Sequence, residues 1–311
     1  MKVLRQEQGE NWALWQGDCC EVVRGIPDES VGFTIYSPPF ASLYVYSDSE
    51  RDMGNVKDYD EFCEHYQFLI RDLLRVTKPG RLCSVHCMNL PTTKQHHNEI
   101  GIQDFRGDII RSHKEAGWIY HSEVVIWKDP VTAMQRTKAL GLLHKQVVKD
   151  SCMSRQGIPD YVCTFRKPGD NPDPVEGEFD RWIGDDDFRA TGRLSIDIWQ
   201  RYASPVWMDI NSNRTLQYTT ARDDKDDRHI CPLQLDVIER CVEMWSNPGD
   251  TVLDPFNGIG SSGHVALANG RKYIGIELKG SYFDVASKNL KIAEKKAMEI
   301  QQPLLVELAD A

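Results

Sequence analysis

Two short stretches of the sequence carry residue types that could do chemistry. The first, Ile35-Tyr36-Ser37-Pro38-Pro39-Phe40, closes an apolar run. Two consecutive prolines can neither continue a strand nor enter a helix interior, because each lacks a backbone N–H and fixes φ. The run 31–36 reads as a buried strand, which puts Ser37, Pro38, Pro39 and Phe40 at its carboxyl end. That is the edge where open α/β sheets bind ligands. The second stretch runs Asp254-Pro255-Phe256-Asn257-Gly258-Ile259-Gly260-Ser261-Ser262-Gly263. Its glycines form G-x-G-x-x-G between a strand and a helix, and Glu277 ends the next strand about twenty residues on, as in nucleoside-cofactor sites. Glu277 can accept hydrogen bonds from both ribose hydroxyls. Nicotinamide enzymes share this fingerprint. Here, however, Asp254 stands at the strand tip before the first glycine, and a carboxylate there suits a cationic group better than a pyrophosphate. S-adenosylmethionine offers two such groups, an ammonium and a sulfonium.

Both stretches need a sheet to hold them, and the hydrophobic periodicity supplies one. Period-two or continuous apolar runs predict strands over 12–17, 31–36, 81–89, 118–127, 160–167, 251–256 and 272–277. Between them, helical spacing puts Phe62, Tyr66, Leu69, Ile70, Leu73 and Leu74 on one face of a helix over 58–77. Further helices are expected over 104–117, from 232 with Val237, Ile238, Cys241, Val242 and Trp245 on one face, after the glycine loop, and from about 280. From 129 to 228 the periodicity weakens, which marks an insertion or a second domain. This middle opens with Lys128, Arg136, Lys138, Lys145, Lys149 and Arg155 against two aspartates, and turns acidic over 170–187.

Composition limits the function classes. A chain of 311 residues, 41% hydrophobic, can bury a full core. No apolar stretch approaches the roughly 18 residues of a membrane span, and the opening MKVLRQEQGE has no apolar targeting core, so a cytoplasmic protein is the expectation. Nine cysteines, with no C-x-x-C pair, suit reduced thiols. The net charge of −10 argues against a protein that coats nucleic acid indiscriminately, so any nucleic-acid site must be local. The basic stretch is the candidate, and solvated surface is its bland alternative.

Ser37-Pro38-Pro39-Phe40 together with Asp254-Pro255-Phe256-Asn257-Gly258-Ile259-Gly260 resembles the DNA amino-methyltransferases, which modify the exocyclic nitrogen of adenine or cytosine. Their catalytic motif is (D/N/S)-P-P-(Y/F/W) and their cofactor motif D-P-F-x-G-x-G. The catalytic motif comes first here, with a variable region between, which resembles the permuted β order of that family. Gly17-Asp18-Cys19, Lys78-Pro79-Gly80 and His229-Ile230-Cys231-Pro232-Leu233-Gln234-Leu235 extend the likeness to about two-thirds of the chain. Where many relatives have His-Pro, this chain has His229-Ile230.

The resemblance implies an α/β fold: a seven-stranded, mostly parallel methyltransferase (Rossmann-like) sheet with one antiparallel strand and an inserted DNA-recognition region. Residues 1–128 would form the catalytic half, 129–228 the target-recognition region and 229–311 the cofactor half. S-adenosyl-L-methionine would be held by Asp18, Asp254, Pro255, Phe256, Asn257, Gly258, Gly260 and Glu277; Asp18 has a helix cap as its plainer role. The Ser37 side chain and the Pro38 carbonyl would accept the two amine hydrogens of the base, and Phe40 would stack on a base turned out of the duplex. Arg136, Lys138 and Lys145 would contact double-stranded DNA. Serine at position 37 resembles cytosine-N4 more than adenine-N6 enzymes, which usually carry Asp or Asn. A homodimer and a place in restriction–modification are further expectations of the resemblance. The rivals are a nicotinamide oxidoreductase and an inactive DNA-binding module. No metal is expected: Cys83 and Cys87 alternate into a strand core, and His86, His96 and His97 complete no ligand set. Trp12, Trp15, Trp199 and Trp207 read as packing aromatics.

Overall fold

Val31 to Tyr36 form a strand in which all six residues are buried, as expected of a strand covered on both faces. The computed structural model describes residues 3–39, 59–92, 94, 98–132, 144–153, 155–176, 196–217 and 232–309. In chain order the elements are β1 (Arg5–Gln8), β2 (Trp12–Gln16), α1 (Cys19–Val23), β3 (Val31–Tyr36), α2 (Tyr59–Val76), β4 (Thr77–Met88), β5 (Leu90–Thr92), β6 (Gly101–Gln103), α3 (Phe105–Glu115), β7 (Ile119–Ile126) and α4 (His144–Asp150). They continue with β8 (Asp160–Arg166), α5 (Ile196–Tyr202), β9 (Val206–Trp207), α6 (Leu235–Trp245), β10 (Thr251–Asp254), α7 (Ser261–Ala268), β11 (Lys272–Glu277) and α8 (Gly280–Ala309). Among the described residues no helix is long and apolar enough to cross a membrane.

The main sheet has nine strands in the order β1-β2-β11-β10-β3-β4-β8-β7-β9. From β2 to β7 lies the expected seven-stranded, mostly parallel set. Its antiparallel member is β8, which pairs against β4 on one side and β7 on the other. Two edge strands extend it: β1 folds back on β2 as a hairpin, and the short β9 runs parallel to β7. Both β8 and β9 fall within 129–228, so that stretch gives strands to the sheet as well as whatever lies between them. β8 can enter the sheet because Val162, Cys163 and Phe165 are all buried.

Helices cover both faces of the sheet. On one, α1, α2 and α3 pack Val22, Leu69, Leu73, Phe105 and Ile109 against Tyr36, Cys83, Val85, Cys87 and Phe165. On the other, α6, α7 and α8 pack Ile238, Cys241, Val265, Phe283 and Leu290 against Leu14, Phe33, Ile35 and Tyr273. The α6 face expected from sequence is buried at Val237, Ile238, Cys241 and Val242. At the amino-terminal edge of the strands, the fully buried Arg81 of β4 pairs with Asp250, just before β10. The pair passes over Gly32 of β3, where an added Cβ would lie 2.7 Å from the Asp250 carboxyl carbon. Position 32 therefore has no room for a side chain.

Candidate active site

Ser37, Pro38 and Pro39 follow β3 directly, Asp254 closes β10 and Glu277 closes β11. These three strands are neighbours in the sheet. The chain leaves β10 through α7 toward β11, and leaves β3 through α2 toward β4 on the other side. A crevice at the carboxyl ends of β10 and β3 follows from that reversal. There the Phe256 ring lies 5.6 Å, centroid to centroid, from Tyr36, so the second motif packs against the residue that leads into the first.

The glycine loop is built for close approach of a ligand. Gly258 and Gly260 take φ of 53° and 88°, values that favour glycine. A Cβ at Gly258 would meet nothing nearer than the Phe256 carbonyl at 4.0 Å, so the loop presents open backbone. Gly263 serves packing instead: its Cβ would fall 2.4 Å from Leu290 and 2.5 Å from Tyr273. Glu277 accepts from the Gly258 N–H at 2.7 Å and from the Lys279 N–H at 2.8 Å, tying the loop to the β11 tip. Asn257 is held inside the loop, its Oδ1 accepting from the Tyr273 hydroxyl at 2.8 Å.

Asp254 is buried and accepts from the Phe256 N–H at 2.9 Å and the Ser262 hydroxyl at 2.6 Å. Burial pushes its carboxyl up to about 7, only partly opposed by these two hydrogen bonds. No described cation stands beside it. A buried carboxylate short of positive charge, at a strand tip beside an open glycine loop, fits a ligand ammonium, and Glu277 on the next strand fits ribose. Asp18 caps α1, its carboxylate accepting from the Cys20 N–H at 2.8 Å. The Gly17 N–H donates to the Glu277 carbonyl at 3.0 Å, which brings Asp18 to the same edge as Glu277.

The other half of the edge holds groups that sequence reasoning missed. The Ser37 hydroxyl lies 3.1 Å from His86 Nδ1. His86 Nε2 lies 3.3 Å from Asp160 Oδ2, within ion-pair reach though without good hydrogen-bond alignment. The other oxygen of Asp160 receives the Lys128 ammonium. Burial alone would raise the Asp160 carboxyl, but the charge of Lys128 and the imidazole of His86 outweigh it and hold the carboxyl below its ordinary value. The signal available in sequence was weak. Alternation along β4 buries Cys83, Val85 and Cys87 on one face, and in sequence His86 offers only a metal ligand without a complete set. Ser262 was legible only as part of the glycine loop.

Pro38 and Pro39 are buried and Ser37 half-buried. Phe40, Arg136, Lys138, His96, His97 and His229 lie outside the described residues. Lys145 is exposed on α4.

Comparison with known proteins agrees with this arrangement. A family model described as DNA methylase, of the N6/N4 class, matches residues 31–288. The type II methyltransferase M.BamHI of Bacillus amyloliquefaciens is 25% identical over 285 residues, which cover 91% of this chain and 57% of that protein. The orphan methyltransferase M.BamHII of the same organism is 23% identical, covering 86% of this chain and 91% of its own. Among solved structures, the DNA modification methylase TTHA0409 of Thermus thermophilus, complexed with S-adenosyl-L-methionine, has a TM-score of 0.62 at 21% identity, covering 90% of this chain and 94% of that one. The cytosine-N4-specific PvuII DNA methyltransferase has a TM-score of 0.61 at 19% identity, covering 98% and 96%. With both sequence motifs meeting at one sheet edge and the family match spanning most of the chain, this protein belongs to the N6/N4 class of S-adenosylmethionine-dependent DNA methylases.

Proposed function

We propose that this chain methylates an exocyclic amine of a base in duplex DNA, with cytosine N4 the preferred amine. The observation that carries this is the adjacency of Ser37-Pro38-Pro39 to Asp254 and Glu277 at the ends of three neighbouring strands. When bound, the cofactor supplies an electrophilic methyl group on sulfonium. Asp254 holds its ammonium, Glu277 its ribose, Asp18 its adenine amine, and the Pro255–Gly260 backbone encloses it. The exocyclic amine is a poor nucleophile because its lone pair is delocalised into the ring. Acceptors fixed in space sharpen that lone pair, and the two prolines hold the Pro38 carbonyl rigidly beside Ser37. The base must leave the duplex to reach them, and Phe40 stacks on it.

Serine at position 37, which the motif shares with the cytosine-N4 enzymes it resembles, supports cytosine. The DNA adenine methyltransferase YhdJ of Escherichia coli keeps adenine N6 as the second reading: it is 43% identical, over 63 residues. Sequence readout belongs to the stretches of 129–228 outside β8 and β9, with Arg136, Lys138 and Lys145 on phosphate. Incubating the pure protein with labelled cofactor and plasmid, then digesting to nucleosides, should place label in N4-methylcytosine. Label in N6-methyladenine alone would move the target to adenine and leave the mechanism standing. Label in 5-methylcytosine would contradict the mechanism.

A further inference from the structure

Four strands that are consecutive in the sheet, β3, β4, β8 and β7, each bring one polar side chain to the same edge: Ser37, His86, Asp160 and Lys128. They form a series of close approaches, 3.1 Å from Ser37 to His86 and 3.3 Å from His86 to Asp160, that ends on the ion pair between buried Asp160 and half-buried Lys128. We propose that His86 is a positioning residue that accepts, through the Ser37 hydroxyl, the proton the base amine must lose, with Asp160 and Lys128 fixing the imidazole tautomer this requires. The proposal rests on the reading of Ser37-Pro38-Pro39 as the site of the amine.

The argument begins at the far end. Lys128 keeps Asp160 ionised in spite of its burial. An ionised carboxylate only accepts, so the His86 nitrogen facing it, Nε2, carries the imidazole hydrogen. Nδ1 is then the acceptor, and the Ser37 hydroxyl 3.1 Å away donates to it. With its only hydrogen committed to His86, Ser37 turns lone pairs toward whatever lies in the crevice, as acceptance from an amine hydrogen demands. The opposite tautomer would make Ser37 a donor to the amine and oppose the reaction.

The same geometry handles the proton. As the amine nitrogen bonds to the methyl carbon and the carbon–sulfur bond breaks, the nitrogen becomes cationic and must release one hydrogen. That hydrogen passes to Ser37 Oγ while the hydrogen of Ser37 passes to Nδ1. The products are the methylated amine, the neutral thioether and an imidazolium whose charge Asp160 balances until the proton leaves to solvent. Among the described residues, the charged groups around the imidazole are Asp160 from β8 and Lys128 beyond β7, with the Ser37 hydroxyl following β3. From α6, Arg240 reaches this face of the sheet, where it is paired to Asp209 and lies over Trp207.

The test measures single-turnover methyl transfer at saturating cofactor, on plasmid from methylation-deficient cells, between pH 5.5 and 8.5. His86→Asn leaves an amide oxygen to accept from Ser37 but cannot take up a proton. It should bind cofactor and DNA as the parent does, slow transfer about 100-fold, and lose the acidic limb of the rate profile. Ser37→Ala, which deletes only a hydroxyl, should lose the same limb and tests the relay even if the His86 variant does not fold. A near-parental rate, or a slower rate with the acidic limb intact in either variant, overturns the relay. If the parent protein transfers no label to DNA at any pH, the functional reading fails and the relay fails with it.

Discussion

Asp254 and Asp160 are two buried aspartates at one sheet edge with opposite surroundings. Asp160 has a lysine beside it and stays ionised. Among the described residues Asp254 has only neutral donors, Ser262 and the Phe256 N–H, and it sits at about 7. Between the ordinary carboxylate value and about 7, the folded cofactor-free protein binds more protons at Asp254 than the unfolded chain does. That group's contribution to stability therefore falls as pH rises through this window. A ligand ammonium needs the ionised form, so cofactor affinity should move the other way, weakening by about eightfold from pH 7.5 to pH 6. Calorimetry at the two values checks this, and Asp254→Asn should bind weakly with the pH dependence gone. Glu277→Ala, which frees the Gly258 N–H as well as removing the ribose acceptor, should abolish measurable binding while the protein stays folded.

At the scale of the elements, the pair of Arg81 and Asp250 fastens β4 to the start of β10 across the bare backbone of Gly32. Both side chains are buried, so removing one partner strands the other charge in the interior. Asp250→Ala should lower unfolding stability by about 3–5 kcal/mol in a denaturant titration. This pairing could not be read from the sequence, because Arg81 and Asp250 meet only through the strand order. The strands and helices themselves were legible: the faces of α2 and α6 follow helical spacing, and the runs at β3 and β8 are apolar enough to be buried on both sides. The meeting of Asp254, the glycine loop and Glu277 at one sheet edge was legible too, because they lie within one strand-helix-strand unit. The series from Ser37 to Lys128 was not. Its four members come from four separated segments, and only the registers of β3 with β4, of β4 with β8 and of β8 with β7 bring them together.

For the whole molecule, the question is how a chain of net charge −10 engages a polyanion. Local attraction must do it, and the segment rich in Lys and Arg that follows β7 is the candidate. Neutralising Arg136, Lys138 and Lys145 together should weaken DNA affinity and flatten its logarithmic salt dependence by about one unit per lost phosphate contact, with cofactor affinity unchanged. Fluorescence anisotropy across a salt series reads both effects, and an unaltered slope would return the segment to solvated surface. Because β8 runs antiparallel to β7, with Ile126 opposite Asp160, the chain from 127 to 159 departs from the sheet and rejoins it at the same point of the same edge. Lys128 and Asp160 clasp the two ends together. A segment closed at its neck in this way behaves as an exchangeable cassette: doubling its length costs only about 0.6 kcal/mol of closure entropy. On the proposed reading of this segment as part of the recognition region, replacing what lies between the clasped ends would change the DNA target while the strands keep their register.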